Sequence, residues 1–522
     1  MRAKRSSGTL TLGLAFVVGC GRSSGPSPEA ARSEPIVART ETTAAAKPVR
    51  CGPASGRSVW PRSAEQPARL CIHATIASNG VRSADQKANV VMVWYRPEEL
   101  SRFDGGLPPF ELFDAFFERA RVVEGVDLTA GDLELSLDYP GGDAAVFVVA
   151  DVHRSFWATM FGAGAGNFIG VGKPASVVDE HTADATVTLS VVPTPPPKTE
   201  ACAGERFELV EIDAPEVAGT VNNPTKRRAC AYLPASYAKE PTRRYPVVYL
   251  LPGFGSSDLS YLGGKKSLRD TADALKSEGL DEVILVGVDT STLEGSTYFT
   301  DSKSGGAWDA FFEKRLLVAI DKRLRTLADP RARALVGHST GGFNAVSLAL
   351  RHPTLFGAVA SSAPDGLDIE RWLVAEDGKI GPKWLAWTRL EAAVGGKGQF
   401  VSYASAWSSE GSAWPFDLET GALAPAWTSW RAASPVALLD DPKRLKAFRA
   451  TFDGRIYLTV GKRDEFGLYE PTKRFSARLT ELGVHHELVE TEGGHGSDQW
   501  KGLEGGLRFV ARAMSPKRPK AH

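Results

Sequence analysis

The sequence predicts a mostly parallel α/β domain preceded by a smaller all-β sandwich, and three observations carry that expectation. From Cys51 to Val192 the chain consists of short runs rich in β-branched and aromatic residues, separated by Gly, Pro, Asp and Asn. After that point it consists of continuous apolar runs, as in strands covered on both faces, alternating with stretches of helical period. Between the two lies Pro193-Thr194-Pro195-Pro196-Pro197, a stiff extended joint. A chain of 522 residues is too long for one ordinary core, and 43% hydrophobic with 24% charged residues is the profile of a globular protein. Lys and Arg number 62 against 62 Asp and Glu, a net charge of zero. That balance argues against a nucleic acid partner, which a basic surface would attract.

The order of elements follows from the N-terminus. Arg2, Lys4 and Arg5 precede the apolar run Thr9 to Val18, a targeting pattern too short to span a bilayer. Val17-Val18-Gly19-Cys20 resembles a bacterial lipobox. By that resemblance 1–20 is a signal peptide, Cys20 carries the lipid, and the domains are tethered to membrane in the cell envelope, in the periplasm or at the cell surface. Residues 21–50 are Ser-, Pro-, Ala- and Thr-rich without an apolar period, and are expected to be a tether. Four further cysteines in an exported chain suggest disulfides, with sequence-local pairing of Cys51 with Cys71 and Cys202 with Cys230. No C-x-x-C spacing or clustered histidines are present, so no metal and no cofactor is expected.

Within 51–192, strands are expected at Val90–Tyr95, Asp132–Tyr139, Ala144–Ala150 and Ala185–Val191, with one helical stretch from Phe110 to Ala120. Residues 193–203 form the linker and 204–515 the α/β domain, followed by a basic tail at 516–522. Its strands are expected at Val247–Leu251, Val283–Val288, Ala334–Val336, Ala358–Ala360, Ile456–Val460 and Glu487–Glu490. Trp308, Phe312, Leu316, Ile320, Leu324 and Leu327 recur as one apolar stripe of a helix. The strand–helix rhythm is interrupted at about 366–439 by a segment carrying seven tryptophans, Trp372 to Trp430. It is expected to lie over the site, with at least half of its indoles forming its own core.

Chemistry is signalled at Gly337-His338-Ser339-Thr340-Gly341. A buried strand precedes Ser339 and a helix follows from Phe343 to Arg351, the context of a nucleophile elbow. A serine hydroxyl needs a base, and a base needs an orienting acid. In the chain order of α/β-hydrolases both come after the serine. His495, in the glycine loop Glu492–Gly496, follows a strand on the correct edge, whereas His485 and His486 precede that strand and His352 ends the elbow helix. Asp464 follows the strand Ile456–Val460, with Glu465 as the alternative acid. The oxyanion donors are expected to be the backbone N–H groups of Phe254, after the strand Val247–Leu251, and of Thr340.

The segments "RRACAYLPASYAKEPTRRYPVVYLLPGFGSS", "EGSTYFTDSKSGGAWDAFFEKRLLVAIDKRLRT", "ALVGHSTGGFNAVSLALRHPTLFGAVASSAP" and "VGKRDEF…EGGH" occur in this order. Together they resemble the Putative esterase family, which includes esterase D, the enterochelin esterases and mycolyltransferases of the antigen 85 type. The likeness covers about Glu205 to Ala513. It implies an α/β-hydrolase fold, a Ser339–His495–Asp464 triad, and a small-molecule or saccharide-linked ester substrate. Hydrolysis is the activity implied. Acyl transfer on the same triad, or a tethered binding protein on an inactive scaffold, are the alternatives. Two departures stand out: Pro252 replaces the histidine often found before the oxyanion glycine, and Asp301-Ser302 replaces Asn-Ser.

Overall fold

The computed structural model describes residues 51–515, except 61–67, 78–86, 104–107, 130, 155–165, 174–175, 180, 193–201, 410 and 412. The signal segment with Cys20, the tether 21–50, the proline joint and the basic tail lie outside the described residues.

From Phe207 onward the chain forms an eight-stranded sheet with flanking helices, the α/β-hydrolase fold. In spatial order the strands are Phe207–Asp213, Lys226–Tyr232, Ile284–Val288, Val247–Leu251, Arg333–His338, Ala358–Ser362, Ile456–Gly461 and Glu487–Thr491. Lys226–Tyr232 runs antiparallel to both neighbours, and the rest of the sheet from Ile284–Val288 on is parallel. Six parallel strands therefore end side by side at one carboxyl edge, where ligands of open α/β sheets bind. The first two strands were not expected from sequence. Lys226–Tyr232 opens with three basic residues, two of which reach outward while Arg227 is buried against Asp289 at 2.8 Å. The apolar stripe of the helix from Trp308 holds through Leu324, but helix ends at Arg323, so Leu327 is left 39% exposed.

Among the described residues before Val192, eight strands form a hydrogen-bonded path that folds into two layers, and a ninth, Ser176–Asp179, pairs with Thr182–Val191 off that path. Thr182–Val191 pairs along its length with Ala68–Ile76 and only at its end with Phe168–Val171, which carries the path from one layer to the other. Leu70, Ile72, Leu137 and Val187 of one layer meet Val90, Met92, Val146 and Val148 of the other in a shared core. Lys87–Tyr95 reads as a continuous apolar run because its outer face is covered too. Val91, Val93 and Tyr95 pack with Phe113, Phe116 and Phe117 of the helix Phe113–Arg119, in the cluster that also holds the core of the α/β domain. Cys51 is bonded to Cys71 and Cys202 to Cys230, the pairing expected from sequence.

The tryptophan-rich segment forms the helices Ile369–Leu373, Pro382–Val394, Gln399–Trp407, Trp427–Ala433 and Pro435–Leu438. Trp384, Trp387, Trp407, Trp427 and Trp430 are buried, and Trp384, Trp387, Trp407 and Trp430 pack on one another and on neighbouring rings. Helix Pro382–Val394 is bedded on the sandwich. Trp387 stacks on Phe117 at 5.6 Å and meets Phe113 edge-on at 5.1 Å. Asn89 Nδ2 donates to the helix-terminal carbonyls of Ala393 and Val394 at 3.0 and 3.2 Å, satisfying groups a helix end leaves open. Lys383 is paired with Asp114 at 2.6 Å. Trp387→Ala should therefore cost about 3–5 kcal/mol of stability, read as a lower denaturation midpoint in urea.

Candidate active site

The serine strand ends at His338 and the next residue, Ser339, has φ 59° and ψ −127°, a left-handed conformation that non-glycine residues seldom adopt. Two close approaches force this turn. A Cβ on Gly337 would lie 2.1 Å from the Gly341 carbonyl oxygen, and one on Gly341 would lie 1.8 Å from that of Leu251. The helix then starts at once, over Thr340–Arg351 rather than from Phe343, because those glycines let its first turn press against the neighbouring strand end. Ser339 N donates to Ser362 O at 2.9 Å and its own carbonyl accepts from Phe343 N at 3.0 Å. The side chain is left half-exposed at the carboxyl edge.

His495 and Asp464 come together at that edge. His495 Nδ1 lies 2.8 Å from Asp464 Oδ2, and both side chains are almost fully buried. Asp464 Oδ1 accepts from the backbone N–H groups of Phe466 and Leu468 at 3.0 and 3.3 Å, which fixes the carboxylate. Glu465, the alternative acid, is turned to a different task, accepting from the His495 backbone N–H at 2.7 Å. Burial pushes the His495 imidazole down, but the Asp464 charge and hydrogen bond, with Asp365 and Glu465 adding to them, hold it above its ordinary value. The ring of His495 lies 4.6 Å from that of His338 and 4.8 Å from that of Phe466. His338 is pushed well down by burial and, secondarily, by the neighbouring His495. Phe466 in turn meets Phe113 of the first domain at 5.3 Å, so the sandwich reaches to within one ring of His495. Among the described residues the other later histidines have partners elsewhere: His352 with Asp309, His485 with Asp453 and His486 with Ser476.

Gly253 sits against Ser339, where a Cβ would be 3.6 Å from the serine Cβ, bringing the backbone before Phe254 to the nucleophile. Thr340 N lies in the first turn of the elbow helix, where N–H groups have no helical acceptor. Asp301 and Ser302 serve the loop itself: Asp301 Oδ1 accepts from Asp309 N and Ala310 N at 2.8 and 3.1 Å, and Ser302 Oγ from Gly305 N at 2.9 Å. Among the described residues no group of three or more His, Cys, Asp and Glu side chains is placed to hold a metal ion.

One residue at the site escaped the sequence reading. Asp365 follows the strand Ala358–Ser362, next to the serine strand, and is buried. Its Oδ1 accepts from Ser339 Oγ at 3.4 Å. Its Oδ2 is surrounded by donors: Gln399 Nε2 at 2.7 Å, Thr340 Oγ1 at 2.8 Å, Tyr403 OH at 3.0 Å and Tyr298 OH at 3.3 Å. Burial, and secondarily the Asp365 charge, raise both tyrosines well above their ordinary range, so they remain protonated donors. Burial also raises Asp365, against the pull of Thr340 and the tyrosines. The signal available in sequence was an acid shortly after a strand adjoining the elbow. Gln399 and Tyr403 belong to the tryptophan-rich segment, so it reaches the serine through polar groups, not through indoles. A cavity of about 410 Å³, lined by Asp301, Lys303, Arg351, Trp407 and Leu438 among others, does not include Ser339. The stacked rings of Tyr403 and Trp407 stand between it and Asp365.

A family model described as Putative esterase matches residues 222–503, more than half of the chain, and the protein belongs to that family. Esterase Rv1288 of Mycobacterium tuberculosis is 26% identical over 272 residues, covering 48% of this chain and 49% of that protein. The chain thus spans about half the length of that relative. An endo-1,4-beta-xylanase/feruloyl esterase of Xylanibacter ruminicola is 31% identical over 134 residues, 25% of this chain and 18% of that protein. Among solved structures, a ferulic acid esterase aligns at a TM-score of 0.42 and 21% identity, covering 59% of this chain and 99% of its own. MPT51 of Mycobacterium tuberculosis aligns at 0.39 and 15%, covering 60% and 98%.

Gly341→Ala tests the elbow. The added methyl meets backbone, which cannot swing aside, so the variant should either fail to accumulate folded or melt well below the parent in a thermal scan.

Proposed function

We propose that the protein is a serine carboxylic ester hydrolase in which Ser339 is the nucleophile, His495 the base and Asp464 the orienting acid. The observation that carries this reading is the buried 2.8 Å contact between His495 Nδ1 and Asp464 Oδ2 beside a serine held at positive φ. In the proposed reaction Ser339 Oγ attacks the ester carbonyl while His495 Nε2 takes the hydroxyl proton. Asp464 holds Nδ1 in its protonated tautomer and stabilises the imidazolium. The oxyanion forms against the N–H groups of Phe254 and Thr340. Collapse expels the alcohol, protonated by His495, and water activated by the same ring then releases the acid from the acyl-enzyme. The disulfides Cys51–Cys71 and Cys202–Cys230 are compatible with an exported chain, and no helix among the described residues is long and apolar enough to cross a membrane. Attachment through a lipid on Cys20 completes the proposal.

Ser339→Ala should lower the rate of aryl ester hydrolysis by several orders of magnitude and abolish labelling by a fluorophosphonate probe. Near-parental turnover in that variant would remove Ser339 from the mechanism. His495 must be neutral to act, and its imidazole is held above the ordinary value of 6.5. The rate should therefore fall as pH drops, with its inflection above 6.5. Asp464→Asn removes the main cause of that rise, so a pH–rate profile should show the inflection displaced to lower pH along with a reduced plateau.

A further inference from the structure

Asp365 has no part in the proposed triad, yet among the described residues its carboxylate accepts a hydrogen bond from the Ser339 hydroxyl. Its two oxygens are unequal. Oδ2 is surrounded by four side-chain donors, and Oδ1 faces Ser339 Oγ. A buried carboxylate oxygen left without a donor is costly, and acylation creates that situation. When Ser339 Oγ bonds to the carbonyl carbon its proton passes to His495 and leaves with the alcohol. In the acyl-enzyme Ser339 has no hydrogen to offer Oδ1.

Resting on the esterase reading above, we propose that Asp365 is a specificity-determining residue selecting acyl groups that carry a hydroxyl on the α-carbon, which replaces the lost serine donor. The geometry supports that position. An α-hydroxyl of an acyl-serine stands a few bonds from Oγ, and Oδ1 lies 3.4 Å from Oγ, so a small torsional adjustment brings the hydroxyl within hydrogen-bonding range of the acceptor. Gln399 and Tyr403, supplied by the tryptophan-rich segment, keep Oδ2 occupied and thereby aim Oδ1 at the acyl group. The same arrangement disfavours acyl chains that present only carbon there, because they bury Oδ1 unpaired.

The test compares para-nitrophenyl esters of lactate, O-methyl-lactate and propionate on the full chain. O-methyl-lactate keeps the electron withdrawal and bulk but has no donor. The wild-type protein is expected to favour lactate over O-methyl-lactate by about 10- to 100-fold in kcat/KM, the range for a hydrogen bond to a charged group. Asp365→Asn should bring that ratio close to one. The four donors around Oδ2 will orient the amide oxygen toward themselves, leaving its NH2, a donor, where an acceptor is needed. Equal wild-type turnover of lactate and O-methyl-lactate overturns the inference while leaving the esterase reading intact. An unchanged preference in Asp365→Asn overturns it as well. Should that variant not fold, the wild-type ratio alone decides. Absence of hydrolysis of all three esters, with no fluorophosphonate labelling, defeats the esterase reading and this inference with it.

Discussion

The site depends on one close backbone contact, the seating of the elbow helix against the end of the neighbouring strand at Gly341. There is no room for a side chain between Gly341 and the Leu251 carbonyl. The helix can approach so closely only because the residue before it bends back, and that residue is Ser339, at φ 59°. The contact accompanies the approach of the Gly253 backbone to Ser339, where a Cβ on Gly253 would lie 3.6 Å from the serine Cβ. It also lifts the Ser339 side chain clear of an otherwise buried strand and helix. Strain at the nucleophile is thus sustained by packing that the parallel sheet enforces.

From that point the carboxyl edge organises itself by strand order. The strands ending at Leu251, His338, Ser362, Gly461 and Thr491 are consecutive neighbours, and each is followed by a residue that faces the site: Phe254, Ser339, Asp365, Asp464 and His495. Two carboxylates therefore flank the region, in different settings. Asp464 is bound to an imidazole and two backbone N–H groups. Asp365 is held by hydroxyls and an amide, two of the four donors arriving from the tryptophan-rich segment and the others from Tyr298 and Thr340. In the proposed reaction the first orients the base, and the second gives one side of Ser339 a hydrogen-bonding surface.

The sandwich contributes by contact rather than by chemistry. Its Phe113–Arg119 helix supports Trp387 beneath the segment that carries Gln399 and Tyr403, and Phe113 also backs Phe466, which lies on the His495 ring. One continuous apolar cluster runs from Val91 and Val93 through these rings into the α/β core. Disturbance at the first domain is therefore transmitted to the walls of the site through packed rings.

Sequence by itself determined the parallel sheet, the elbow and the order serine, acid, histidine, because buried strands and glycine-flanked turns leave strong local patterns. Val247–Leu251 is uniformly apolar and Ile456–Val460 is apolar apart from Thr459, and Gly337 and Gly341 bracket Ser339. It was weaker where pattern is mixed: Lys226–Tyr232 hides a strand behind three basic residues, and Leu327 continues a stripe that its helix has already left. Which of Asp464 and Glu465 meets the imidazole is set by tertiary structure alone, since adjacent carboxylates differ only in direction, and one faces the imidazole while the other faces a backbone N–H. It alone brought Asp365 to the serine, because that contact joins two neighbouring strand ends with donors from the Gln399–Trp407 helix and from Tyr298. No local spacing encodes such a meeting; it exists only once the sheet has formed and the insertion has folded back over its edge.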